Sequence, residues 1–99
     1  MNRIIEKKQL SEEVFQFRVD APLIARERKA GQFIILQLHD DFGERIPLTI
    51  ADADPVAGWI ILIFQTVGKT THELASLKEG DEIGNLVGPL GTPTHIEKF

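Results

Sequence analysis

Trp59-Ile60-Ile61-Leu62-Ile63-Phe64-Gln65-Thr66-Val67-Gly68-Lys69-Thr70-Thr71-His72-Glu73-Leu74 contains the sharpest change of period in the chain. Residues 59–67 are β-branched or aromatic nearly throughout, the composition of a strand central in its sheet. From Thr70 the apolar positions move to helical spacing, with Leu74 and Leu77 on one face of a helix over residues 70–78. Thr70-Thr71-His72-Glu73 reads as a capping box, in which a Thr70 hydroxyl and a Glu73 carboxylate satisfy each other's free amides. Glu79-Gly80-Asp81 ends the helix.

On both sides of this unit the chain is strand-like, with short and fairly even spacing between turn signals, the pattern of a small barrel or sandwich. Residues 3–10 and 14–19 flank Ser11-Glu12-Glu13, and Phe15, Phe17 and Val19 alternate with Gln16 and Arg18, which predicts a hairpin with one buried face. Ala21-Pro22 ends it, and a polar stretch leads to Gly31. In the third strand, residues 32–39, Phe33 and Ile35 point one way and Ile34, Leu36 and Leu38 the other, so both sides should be covered. Asp40-Asp41-Phe42-Gly43 reads as a turn, and residues 44–51 form a fourth strand. There Arg45, Pro47 and Thr49 share one face, while Ile46, Leu48 and Ile50 fill the core behind them. Pro47 cannot donate to a ladder, so it marks an edge, a bulge or a place where the sheet opens. Residues 82–87 make a sixth strand, and Gly88-Pro89-Leu90-Gly91-Thr92-Pro93 reads as loop. Residues 94–99 begin no element, which suggests the boundary of a longer chain.

Composition narrows the function classes. Ninety-nine residues, 42% apolar and 26% charged, make one packed domain over residues 1–99. The net charge is −4, and the only basic group is the short set Arg26, Arg28 and Lys29, which argues against nucleic acid as a partner. Cysteine is absent, so disulfides, thiolate catalysis and an Fe–S cluster held by this segment are out. The longest apolar run, Trp59 to Phe64, is far shorter than the roughly 18 residues of a membrane-spanning helix. Charges stand where a signal peptide needs its apolar stretch, so a cytoplasmic location is expected.

Few residues carry legible chemistry. A P-loop would need glycine where Ile63 stands. What survives is a glycine, a lysine and two threonines, Gly68 to Thr71, opening a helix whose free amides favour an anion; Thr70 acting only as a cap is the plainer reading of the same residues. Arg45 and Thr49 around Pro47 would suit a planar polyanionic ligand, or be an exposed arginine and a β-favouring threonine. His39, His72 and His95 are too scattered for a metal site, and Asp52 and Asp54 lack the calcium loop that would have to follow. No catalytic acid or base stands out.

Three segments carry a family resemblance in their order and spacing: Arg45-Ile46-Pro47-Leu48-Thr49-Ile50-Ala51-Asp52, Val67 to Leu74, and Gly88-Pro89-Leu90-Gly91-Thr92-Pro93-Thr94-His95-Ile96. Together they resemble the FAD-binding domain of the ferredoxin–NADP reductase superfamily. Within it they are similar to the small subunits of NADH-dependent ferredoxin:NADP oxidoreductases, also called sulfide dehydrogenases. The electron-transfer subunit of dihydroorotate dehydrogenase resembles the chain at the same three places. The resemblance implies an all-β fold, a six-stranded antiparallel Greek-key barrel with one short helix between the last two strands. It also implies a bound FAD, its ring against Pro47, Leu48 and Thr49 and its pyrophosphate near Gly68, Lys69, Thr70 and Thr71. Phe64 and Gln65 would lie against the ribityl or adenine portion, or serve core and edge packing. The superfamily's signature is Arg, any residue, Tyr, then Ser or Thr; aligned on Thr49, Leu48 holds the tyrosine position and Ile46 the arginine position, with Arg45 displaced by one. Arg45 then reaches the pyrophosphate only if Pro47 distorts the strand. A nicotinamide-binding domain and a 2Fe–2S cluster are expected in a following part of the full-length protein, and a larger iron–sulfur flavoprotein subunit as its partner. The function so implied is electron transfer between NAD(P)H and an iron–sulfur partner such as ferredoxin. A ligand-free β-barrel interaction module is the reading from another class.

Overall fold

The computed structural model describes residues 2–39 and 43–92. Seven strands and two short helices follow one another as β1 (Asn2–Gln9), β2 (Val14–Asp20), α1 (Pro22–Glu27), β3 (Phe33–Gln37), β4 (Arg45–Asp54), β5 (Trp59–Gln65), α2 (Lys69–Ala75), β6 (Glu82–Ile83) and β7 (Asn85–Leu90). All pairings are antiparallel, in the order β6-β1-β2-β5-β4-β3-β7. The meander β3–β4–β5 with β2 returned beside β5 is a Greek key, and β5 is the middle strand. The sheet curls until its two edges, β6 and β7, are successive stretches of one chain segment. Ile4, Phe17, Val19, Ile34, Leu36, Ile50, Ile60 and Leu62 fill the interior, and α2 adds the fully buried Leu74. Among the described residues no helix is long and apolar enough to cross a membrane.

The strand count exceeds the expected six because residues 82–87 break at Gly84. A Cβ built there would stand 2.5 Å from the Leu38 carbonyl oxygen and 2.6 Å from the His39 carbonyl carbon, so only glycine lets the two backbones cross. The Gly84 N–H donates to the Leu38 carbonyl at 3.0 Å, and the chain turns there from pairing with β1 to pairing with β3. Gly88, Pro89 and Leu90, read as loop, extend β7, with Leu90 opposite Phe33. The expected turn at residues 40–43 is described only at Gly43, whose φ of 102° is left-handed; Asp40, Asp41, Phe42, and the stretch 93–99 with His95, lie outside the described residues.

The expected single helix has a companion. Pro22, expected to end the hairpin, also opens α1, where its fixed φ and missing N–H suit the first turn, and Ile24 and Ala25 face the core. Arg28 follows it and donates to the Ile50 carbonyl at 3.1 Å. The helix expected at residues 70–78 runs instead over Lys69–Ala75, with Gly68 as N-cap. The expected capping box does not form. Thr71, not Thr70, folds back: its Oγ1 accepts from the Val67 and Gly68 N–H groups at 2.9 and 3.0 Å, while Glu73 pairs with His39 at 3.1 Å. At the other end Lys7 Nζ donates to the Ala75 and Leu77 carbonyls at 2.6 and 2.9 Å, satisfying groups a helix end leaves free.

Candidate cofactor groove

The groove exists because β4 belongs to two pairings that do not overlap. From Arg45 to Thr49 it pairs with β3; from Ile50 to Asp54 it pairs with β5, with an irregularity between Ile50 and Asp52. The first half of β4 therefore splays away from the last residues of β5, which stay paired only with β2. The Ile50 N–H donates to the Gln32 carbonyl on the β3 side at 3.1 Å. Antiparallel alternation from that bond turns the main-chain groups of Ile46 and Leu48 toward β3 and those of Arg45, Pro47 and Thr49 toward the open side. Pro47 thus falls where a missing N–H costs no ladder bond, the opening its presence predicts.

Into this opening faces the start of α2. Pro47, Leu48 and Thr49 on one wall and Val67 and Thr71 on the other line a single groove of about 470 Å³, with Gln65 at its floor. Thr49 and Pro47 are exposed, while Leu48 and Ile46 are half-buried against the core. Thr71 Oγ1 takes up the Val67 and Gly68 amides, and no side chain caps the Lys69 and Thr70 amides that follow, which are left to solvent or a ligand.

Most of the sequence-derived candidates meet here. Pro47, Leu48, Thr49, Phe64, Gln65 and Thr71 line the groove. Gly68 and Lys69 stand exposed beside it at the helix start, and Thr70 is half-buried, its hydroxyl hydrogen-bonded to Glu44. Phe64 touches the groove from behind: it is 4% exposed, its ring edge-on to Phe17 at 5.1 Å and stacked near Phe15 at 6.0 Å, so packing is its main occupation. Arg45 is not among the lining residues. Pro47 stays in register opposite Ile35 without distorting the strand, and Arg45 lines a separate cavity of about 160 Å³ with Ile35, Gln37, Asn85 and Val87. Ile46, Ile63 and Val67 line the groove as well. Ile46 reads as core in the sequence, and the parting of β4 from β5 brings it to this surface.

The curled sheet, its split at β4 and the short helix facing the split form a barrel domain whose fold the chain shares with ferredoxin–NADP oxidoreductase and cytochrome b5 reductase structures. Its similarity to particular proteins is strong. All of its residues align at 46% identity with the dihydroorotate dehydrogenase B (NAD(+)) electron transfer subunit homolog of Thermotoga maritima, covering 35% of that protein. They superpose on the structure of an NADH-dependent reduced ferredoxin-NADP oxidoreductase, reported for flavin-based electron bifurcation, with a TM-score of 0.96 at 46% identity, covering 36% of that chain. The cytochrome b5 reductase domain of Ulva prolifera nitrate reductase shares the fold alone, with a TM-score of 0.73 at 22% identity over 91% of this chain and 39% of that one. No family model matches the sequence. The chain spans about a third of the length of these relatives.

Proposed function

We propose that the groove holds FAD and that the chain is the flavin-binding part of a longer oxidoreductase. The observation that carries the reading is the parting of β4 from β5, which sets an unpaired main-chain edge with the Thr49 hydroxyl opposite the uncapped start of α2 across one groove. The residues fit the group. Pro47 offers an apolar surface to one face of a heterocycle, with Leu48 half-buried behind it, through aliphatic contact because the chain has no tyrosine. Main-chain groups turned to the open side and the Thr49 Oγ1 supply hydrogen bonds along the ring's edge. Gln65 reaches the space between ring and phosphates. The amides opening α2, with the exposed Lys69, suit a pyrophosphate.

When bound, FAD accepts a hydride and releases single electrons. The protein's part is to orient the ring against β4 and to place the Thr49 hydroxyl where it can donate or accept at the ring edge. Donor and acceptor are assigned outside this segment: NAD(P)H on a nicotinamide-binding domain of the same full-length chain, and a 2Fe–2S cluster followed by a larger iron–sulfur flavoprotein subunit. An NADH-dependent ferredoxin–NADP oxidoreductase agrees with this arrangement, and a dihydroorotate dehydrogenase electron-transfer subunit is the alternative. This segment alone should turn over no nicotinamide. The test is direct. FAD added to the purified chain should co-elute on gel filtration and lose fluorescence on titration; a colourless protein indifferent to high-micromolar FAD would leave only a ligand-free barrel module.

A further inference from the structure

We infer that Arg28 is a positioning residue for the groove: its guanidinium pins the kink at which β4 leaves β5 and so holds the ring-binding lip open. The inference rests on the FAD reading above. In β4, Ile50 stands opposite Leu62 and Asp52 opposite Ile61, which leaves Ala51 as an extra residue without a partner. A bulge of this kind bends its strand and deepens the twist. It falls directly after the lip formed by Pro47, Leu48 and Thr49, so its direction sets how far that lip stands from β5. Arg28 Nη2 donates to the Ile50 carbonyl at 3.1 Å and lies 3.5 Å from the Ala51 carbonyl, the two oxygens of the bulge itself.

The bond replaces one that the ladder fails to make. The Ile50 N–H donates to the Gln32 carbonyl at 3.1 Å, and in a regular antiparallel ladder the Gln32 N–H would answer at the Ile50 carbonyl. Instead the Gln32 N–H turns back to the Lys29 carbonyl at 3.2 Å, and the guanidinium takes its place. The turn that carries Arg28 is itself tied down. The Lys29 N–H donates to Gln32 Oε1 at 2.9 Å, and Gln32 Nε2 donates to the Gly91 carbonyl, just past β7, at 2.9 Å. Arg28 is half-buried, and its Nε is buried without a hydrogen-bond partner among the described residues, so the side chain holds this position at a desolvation cost. Arg26 and Lys29, its basic neighbours, are exposed.

Without the guanidinium the two carbonyls turn to water and the lip is free to swing onto β5, where continuation of the Ile50–Leu62 register sets Thr49 opposite Ile63. That movement closes the groove. A charged hydrogen bond lost from the open arrangement shifts the open-to-closed ratio by about tenfold or more, so FAD affinity should fall by about threefold to tenfold in Arg28→Met. Riboflavin, which has the same ring and no phosphate, should lose as much, because the ring's lip is what moves. Arg26→Met removes the same charge from the same segment and should bind both flavins as the wild type does. In flavin-free Arg28→Met, amide hydrogen exchange at Thr49 and Ile63 should slow as the two residues pair, the opposite of the quickening that plain loss of stability brings. Unchanged FAD affinity in Arg28→Met, an equal loss in Arg26→Met, a loss for FAD without one for riboflavin, or exchange at Thr49 and Ile63 that does not slow would overturn the role of Arg28 while leaving the FAD site standing. If Arg28→Met does not fold, the same comparison is made with Arg28→Lys, whose point charge cannot span two carbonyls, and the same results overturn the inference. A wild type that binds neither flavin would instead remove the site, and the role of Arg28 with it.

Discussion

Gly84→Ala tests the feature on which the two edges of the sheet depend. The backbone at Gly84 is not in the left-handed region, unlike that at Gly80 or Gly91, so the cost of a methyl there is contact alone. The added carbon would meet three main-chain atoms at 2.5, 2.6 and 2.8 Å, and none of them can swing aside as a side-chain tip can. Relief to ordinary contact at 3.4 Å requires the crossing strands to part by about 0.9 Å. Overpacking of this kind costs about 1–3 kcal/mol. The same movement stretches the 3.0 Å bond from Gly84 N–H to Leu38 beyond hydrogen-bonding range and loses about 0.5–1.5 kcal/mol more. The expected total is about 2–4 kcal/mol, a fall of roughly 10–25 °C in Tm for a domain of this size. Urea unfolding followed by far-UV circular dichroism and by the fluorescence of Trp59, the only tryptophan, would measure it. Gly68→Ala is the control: a Cβ there meets nothing within 4 Å, and the change should cost less than about 1 kcal/mol. A Gly84→Ala midpoint shift worth less than about 0.5 kcal/mol at unchanged m-value would refute the crossing argument.

Thr49→Ala should weaken FAD binding by about threefold to tenfold, the worth of one hydrogen bond, while stability moves by less than about 0.5 kcal/mol; flavin titration and urea unfolding of the same preparation separate the two. Lys69→Glu should also weaken FAD, and more so at low salt, since an exposed side chain acts through a screened charge; equal loss at all ionic strengths would remove Lys69 from the phosphate end. Lys7→Met should destabilise by about 1–2 kcal/mol, because two carbonyls at the end of α2 lose a charged donor. Amide exchange in the last turn of α2 should quicken with it, and unchanged exchange would mean water replaces the lysine at no cost.

Much of the fold is legible in residue order because it is set by local alternation. The β1–β2 hairpin, the central position of β5 and the inward Ile46, Leu48 and Ile50 all follow from period-two patterning. The misses share another cause. Gly84 breaks a strand because the backbone at Leu38 and His39, far away in sequence, passes against it, and no window around residue 84 contains that fact. Pro22 is ambiguous by nature, since one ring both ends a strand and begins a helix. At α2 the sequence offers two threonines side by side, and which one folds back on the N-cap depends on Thr70 being engaged by Glu44 and Glu73 by His39. The groove was legible in half: Pro47 announces an opening, but its far wall follows from where β5 stops pairing with β4. The displacement of Arg45 into its own cavity follows from the regular register around Pro47.

That register gives Pro47 a further importance. A run of unpaired strand edge invites a neighbouring molecule to add its own strand, the route by which β-proteins aggregate or swap. The parting of β4 from β5 creates such a run within the sheet, in addition to its outer edges at β6 and β7. A proline at its midpoint leaves a gap in any intruding ladder, yet keeps the carbonyl that a small planar molecule can use. One residue can therefore keep the cleft receptive to a cofactor and unreceptive to another polypeptide, and its replacement by a residue with an amide would be felt first as loss of solubility in the flavin-free protein.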